Sequence, residues 1–449
     1  MMAVNRRTFI KYVSLAAAGN AAALRPFGAL NALAQGTTDY KALVCVFLFG
    51  GNDANNTLIQ FDTAGYTNYS TLRGPLAIPQ AQLLPLTGSL SPNTFALNPN
   101  LPDIQTLFDN KNAAFVVNVG TLIEPTTKAQ YKAGTGLPTN LFSHPDQQLE
   151  WQNASQSGAT ATGWAGRIAD QLTAAYNSGA AVPMITSVAG DTLFCNGSAS
   201  TPVSVSPGNL GGAQCSEGAT ECAAQLATAQ ALLSFDSGLT LVRADNSITT
   251  NAYSYAKTLT AAVQSVSPLK TVFPTGSIGG QLQQIAQIIQ VRAALGVSRQ
   301  IFFCSVGNFD THSNQLALQN ALLASVSPAL GAFYNATVEM GVQSNVTAFT
   351  MSDFSRTFQP NSNTGSDHAW GSHHIVMGGA VKGGQLYGTF PTLALNGPDD
   401  SGTNGRWVPS TGSVQYAATL ASWFGVTPTQ MATVFPNIGS FPTANLGFV

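Results

Sequence analysis

The sequence predicts an α/β fold: a mainly parallel central sheet flanked by helices on both faces, with an inserted cap region. Three observations carry this. Short apolar runs recur along the chain, patterns of helical length lie between them, and 44% of residues are hydrophobic while 8% are charged, which is enough apolar material for a large ordered core. The strand-like runs are Ala42 to Phe49, Ala113 to Val119, Gln300 to Val306, Val346 to Met351 and His374 to Met377. Helical patterns cover Trp164 to Tyr176, Leu282 to Leu295, Gln315 to Tyr334 and Val414 to Phe424. From about Ala181 to Asp245 the rhythm gives way to a stretch rich in Gly, Ser and Thr, which reads as an insertion or cap within one domain spanning residues 35–449.

The first 34 residues read differently. Asn5-Arg6-Arg7-Thr8-Phe9-Ile10-Lys11 is followed by an apolar stretch from Tyr12 to Leu24 and a small-residue exit, Ala32-Leu33-Ala34. Paired arginines, an aromatic two places on, a short apolar run and such an exit define a cleavable twin-arginine export signal. The run is interrupted by Gly19 and Asn20, and is shorter than the roughly 20 apolar residues that span a bilayer. No other segment reads as transmembrane. The expected address is the periplasm or the exterior, reached through the twin-arginine translocation machinery.

Removing residues 1–34 takes away four cations and no acid, so the net charge moves from −2 to −6. Phosphate backbones require clustered Lys and Arg, which excludes nucleic acid as a partner. Of the five cysteines, Cys45 and Cys304 sit in strand-like runs as small hydrophobes. Cys195, Cys215 and Cys222 lie close in sequence, and an oxidising compartment permits a disulfide among them whose pairing stays open. With no CxxC spacing, a zinc–thiolate site is not expected.

Histidine carries the functional signal. The chain has five, His144, His312, His368, His373 and His374, each near a carboxylate or in a Gly/Ser/Asn-rich turn. Phe49-Gly50-Gly51-Asn52-Asp53, Gly307-Asn308-Phe309-Asp310-Thr311-His312 and Ser352-Asp353-Phe354-Ser355-Arg356 all follow predicted strands. In an open parallel sheet those loops meet at the carboxyl edge, where ligands bind. Gathered carboxylates repel, and a divalent cation relieves the repulsion; mixed carboxylate and imidazole donors suit zinc or manganese better than calcium. Each piece alone has a plainer reading: a tight turn at Gly50-Gly51, an N-cap at Ser143, a polar loop at Asp367-His368. Together they point to one site.

These residues resemble a known family. Leu48-Phe49-Gly50-Gly51-Asn52-Asp53, Ser143-His144, Thr162-Gly163-Trp164-Ala165-Gly166-Arg167, Asp310-Thr311-His312, Thr350-Met351-Ser352-Asp353-Phe354-Ser355-Arg356-Thr357 and Asp367-His368-Ala369-Trp370-Gly371 are similar to the motifs of the domain-of-unknown-function 1501 family. The resemblance covers nearly the whole chain, and that family looks like a relative of the alkaline phosphatase and sulfatase superfamily. It implies an alkaline-phosphatase-like fold and a hydrolase of phosphate or sulfate esters, small-molecule or glycan, using one or two divalent ions. The implied ligands are Asp53, Asp310, His312, Asp353, Asp367, His368 and one of His373 and His374. Ser143 is the implied nucleophile, next to His144 at a helix N-terminus, with Arg356 or Arg167 gripping the ester's free oxygens. Two departures stand out. The superfamily spaces its later ligands as Asp-x-x-x-His where this chain has Asp310-x-His312, and either Asp353 or Asp367 can fill the Asp-His role. A non-catalytic binding protein that kept the fold is the competing expectation.

Overall fold

The first apolar run forms strand β1 (Lys41–Leu48) in the middle of a nine-stranded sheet. The computed structural model describes residues 39–91, 94–155, 161–210, 219–235 and 238–449. The remaining strands are β2 (Leu58–Gln60), β3 (Leu84–Pro85), β4 (Phe95–Leu97), β5 (Ala113–Gly120), β6 (Ile185–Ser187), β7 (Val203–Ser204), β8 (Arg299–Val306), β9 (Val346–Ser352), β10 (Ser372–Met377), β11 (Leu386–Tyr387) and β12 (Thr411–Gly412). The main sheet runs β11-β5-β10-β9-β1-β8-β6-β7, with β12 also pairing β5, while β2, β3 and β4 form a separate small sheet.

β1 is buried from Ala42 onward, as a central parallel strand covered on both faces should be. Its side chains alternate. Ala42, Val44, Val46 and Leu48 join a core built with helices Ser277–Gln290 and Gln315–Glu339. Leu43, Cys45 and Phe47 face the other core, with helices Trp164–Tyr176 and Ser413–Phe424. Helices therefore flank both faces. Gln315–Glu339 is long and apolar enough to cross a membrane by length and composition, but here Leu323, Val326, Leu330 and Phe333 bury it against the sheet.

β1 pairs β8 and β9 in parallel, and β6 pairs β8 in parallel. Within the main sheet as described, β10 alone runs against its neighbours, antiparallel to both β9 and β5. The cause lies in the connection: no crossover helix separates β9 from β10. The chain leaves β9, stays at the carboxyl edge through residues 353–371, and re-enters the sheet from that edge, so the next strand must run the other way. That long edge loop carries Asp353, Arg356, Asp367 and His368.

The stretch read as a cap has two parts. β6 and β7 extend the central sheet beyond β8, and helices Ala219–Leu233 and Thr240–Gln264 follow. Cys195 is buried with a free thiol, and Cys45 and Cys304 are also free and buried. The export signal, Cys215 and the side chain of Cys222 lie outside the described residues.

Candidate metal centre

The site begins with register. Leu48 of β1 pairs Val306 of β8 on one side and Ser352 of β9 on the other, so three loops leave the sheet at one level. Two glycines let them touch. Gly50 has φ 111°, and a Cβ there would lie 2.4 Å from the Asp310 backbone nitrogen. Gly51 has φ 82°, and its Cβ would meet the Phe354 ring at 2.6 Å. Any side chain would push Asp310 and Phe354 away from the loop after β1.

Asp310 Oδ1 is the centre of what these loops assemble. It accepts from Arg356 Nη1 at 2.7 Å and lies 2.9 Å from His312 Nδ1. His144 Nε2 and His368 Nε2 each stand 3.4 Å away. The other nitrogen of each of these two rings is committed. His144 Nδ1 lies 2.7 Å from Asp353 Oδ2, an acceptor-only carboxylate oxygen, and His368 Nδ1 lies 2.7 Å from the Phe142 carbonyl. Both Nδ1 atoms must therefore donate, which leaves a lone pair on each Nε2 when the ring is neutral. Both Nε2 atoms are buried and have no hydrogen-bond partner. A carboxylate oxygen and two such lone pairs, all within 4.8 Å of one another, are a three-ligand set for a divalent ion. A carboxylate or carbonyl behind each imidazole is the outer support that metal-binding histidines need.

The electrostatics are balanced closely. The hydrogen bond to Asp353 raises the His144 pKa, while burial lowers that of His368. Burial works to raise the Asp310 carboxyl, but the hydrogen bond and charge of Arg356 outweigh it and hold the group below the usual range. Arg356 is fully buried, with its donors turned to Asp310, the Gly50 carbonyl and Ser366.

The structure thus brings together His144, Asp310, His312 and His368, with Asp353 and Arg356 directly behind. The other expected residues are placed elsewhere. Asp53 is fully buried and fully engaged: Oδ1 accepts from the Asn55 nitrogen at 3.0 Å, and Oδ2 takes Arg73 and Gln315. Arg73 goes on to the carbonyls of Thr357 and Phe358, so Asp53 ties the β1 loop to helix Thr63–Arg73 and to the β9 loop. Asp353 directs Oδ1 to the Gly50 nitrogen at 3.1 Å and Oδ2 to His144 and Gln148, which orients the His144 ring. Asp367 meets Asn361 Nδ2 at 3.2 Å.

His373 and His374 are buried on opposite faces of β10 and do not reach the cluster. His373 Nδ1 accepts from the Asn118 nitrogen at 3.0 Å. His374 packs between Trp151 and Tyr416. Burial pushes their pKa values down to about 4 and about 3. Ser143 stands at the N-cap of helix His144–Asn153, its hydroxyl donated to Asp146. The preceding Phe142 holds φ 73°, a left-handed conformation that costs a bulky residue strain. Arg167 braces the carbonyls of Asn153, Thr162 and Val434, so its fork is occupied by protein.

Arg73, Gln148, Gln315 and Arg406 were not foreseen. Only Gln148 left a readable signal, standing four residues after His144 and so on the same helix face. Arg406 donates Nε to the His368 carbonyl at 2.8 Å and covers the Phe142 ring at 4.6 Å.

Fold and site together define an α/β protein with a histidine–carboxylate centre at the carboxyl edge of its sheet. The chain belongs to the family described as "Protein of unknown function (DUF1501)", whose profile matches residues 40–404. No curated protein matches it. Among solved structures it is similar to Ps i-CgsB, at 9% identity and a TM-score of 0.37 over 89% of this chain and 77% of that one. The lipoteichoic acid synthase LtaP from Listeria monocytogenes aligns at 7% identity and TM-score 0.36 over 88% and 74%. The PsFucS1 sulfatase from Pseudoalteromonas sp. aligns at 10% and 0.31 over 81% and 68%. Likeness this distant assigns no activity.

Two outcomes follow from this geometry. Asp53→Ala leaves Arg73 buried without its counter-charge and should lower stability by about 3–5 kcal/mol in urea melts; a loss of about 1 kcal/mol or less, the range of an exposed pair, would contradict this. His374 is neutral in the fold, so below pH 6.5 only the unfolded chain takes up its proton, and stability falls as pH drops toward the folded pKa of about 3. Between pH 7.5 and 5, His374→Phe should therefore gain about 2 kcal/mol on the wild type; parallel stability–pH curves would contradict this.

Proposed function

We propose that the protein is an exported metal-dependent hydrolase of phosphate or sulfate esters. The observation that carries the reading is the convergence of two buried, unpartnered imidazole lone pairs on the Asp310 carboxylate. Zinc or manganese fits this donor set, and with Asp53 engaged by Arg73 the reading takes one ion. His144, Asp310 and His368 hold it, with His312 on the exposed side as a fourth donor. When bound, such an ion supplies positive charge to a developing oxyanion and lowers the pKa of a hydroxyl beside it.

The chain's own residues supply the rest. Ser143 directly precedes a ligand, and Asp146 accepts its hydroxyl proton, so Ser143 is the proposed nucleophile and Asp146 its proton acceptor. Arg356 has its donors taken by protein, so it acts by orienting Asp310 and adding positive charge beside the reacting group. The twin-arginine leader supports export to the periplasm or beyond, and its route, which accepts folded cargo, suits a site filled before export.

One observation favours a second reading. Arg356 Nη1 already sits 2.7 Å from Asp310 Oδ1, an internal cation that serves a binding protein without a metal. Elemental analysis separates the two. The hydrolase requires one zinc or manganese per chain, lost on His144→Ala with His368→Ala. It also requires Ser143→Ala to keep the ion while turnover of 4-nitrophenyl phosphate or sulfate falls by about 10³-fold or more. Less than one ion per chain after reconstitution would leave the binding reading standing.

A further inference from the structure

Beside the cluster, the same edge of the sheet opens into a cleft of about 640 Å³. Its floor is the end of β5, and its walls are helix Lys128–Ala133, residues 389–391 after β11, and parts of the 398–410 loop. β5 is two strands from β9 in the order β5-β10-β9, so at ordinary strand spacing the floor lies about 10 Å from the strand that leads into Asp353.

A single segment connects the two places. Arg406 braces the His368 carbonyl. Two residues on, the Val408 carbonyl accepts from Asn118 Nδ2 at 2.9 Å, and Val408, Pro409 and Ser410 form a wall of the cleft. The floor itself is built irregularly. The β5–β10 register shifts between Ser372 and His374, and Asn118 takes φ 49° there. Bulges of this kind end pairing and re-aim a strand beside functional sites.

The lining is a particular mixture. Phe390, Pro391 and Pro409 supply flat apolar surface. Lys132 is exposed and makes no hydrogen bond or ion pair among the described residues, while Asp399, half-buried in the lining, holds the Thr392 nitrogen with Oδ2. Lys128 also lines the cleft, but its ammonium is tied to Asn396 and to the Gly397 carbonyl. A lipid chain would leave the Lys132 ammonium without a partner. A polyanion would meet one untethered cation beside a carboxylate. A ring with apolar faces and hydroxyls around its rim satisfies both kinds of wall.

We propose that this cleft binds a carbohydrate ring, the non-reacting part of the ester cleaved at the cluster. The proposal rests on the hydrolase reading and narrows its substrate to a sugar phosphate or sugar sulfate.

The test uses the metal-loaded full chain with a panel of hexose and hexosamine phosphates and sulfates, and with ethyl phosphate and ethyl sulfate as esters too small to fill the cleft. Lys132→Ala and Phe390→Ala should each raise KM for the preferred sugar ester about tenfold, with kcat/KM for the ethyl ester and metal content unchanged. Phe390 also rests on Phe95 and His373, so Phe390→Leu serves if the alanine variant does not fold. No preference for sugar esters over ethyl esters, or equal effects of Lys132→Ala on both, would overturn the proposal. Saturation-transfer NMR with the free sugars keeps the two readings apart. Sugar binding that is lost in Lys132→Ala, with no ester turned over, upholds the cleft and overturns the hydrolase; turnover of ethyl esters without sugar binding does the reverse.

Discussion

The buried carboxylate of Asp353 is the interaction on which the rest of the site depends. A charge with no solvent contact must be fully hydrogen-bonded to persist, and the partners of Asp353 come from two other pieces of the fold. The Gly50 nitrogen brings the loop after β1, His144 and Gln148 bring the helix His144–Asn153, and Asp353 itself directly follows β9. Satisfying one carboxylate therefore assembles the site. It also sets the His144 tautomer, which turns the Nε2 lone pair toward Asp310. His368 reaches the same state by another route, through the Phe142 carbonyl.

A second layer keeps this arrangement from relaxing. Asp53 and Arg73 form a wholly buried ion pair whose remaining bonds reach Asn55, Gln315, Thr357 and Phe358. Such pairs add little net stability but penalise any arrangement that separates them. Here they fix the loops after β1 and β9 relative to each other, and those loops deliver Asp353 and Arg356. Asp310 completes the site from β8, and Gly50 lets it come close. The metal reading and the carbohydrate reading both draw on this rigidity, since Arg406 and Val408 carry it from His368 to the neighbouring cleft.

The architecture was legible because buried strands announce themselves. β1, β5, β8 and β9 are strands of seven or eight residues built around apolar runs, and their ends fall within about two residues of those read from the sequence. The direction of β10 was not legible, because it depends on the path of the preceding loop and not on the strand's own residues. The site divides in the same way. Asp310, His312, Asp353 and His368 follow strands or occupy the edge loop, and topology alone puts them together. Asp53 follows β1 in the same manner, yet a buried arginine claims it. Arg73 stands in the last turn of a helix, where a cation looks like an ordinary surface residue near the helix dipole. His373 and His374 lie next to each other on a strand, so they point to opposite faces and cannot share an ion. Polar partners supplied from distant helices, such as Gln315, carry no local signature at all.

X-ray absorption on zinc-loaded protein tests the central claim most directly. The account predicts one zinc per chain, with imidazole scattering from two or three histidines and at least one oxygen near 2.0 Å, the ordinary range for zinc with nitrogen and oxygen ligands. His144→Ala should reduce the imidazole contribution by one ring. A shell of oxygen alone, or a spectrum unchanged by His144→Ala, would contradict the account and return the cluster to an internal ion pair between Asp310 and Arg356.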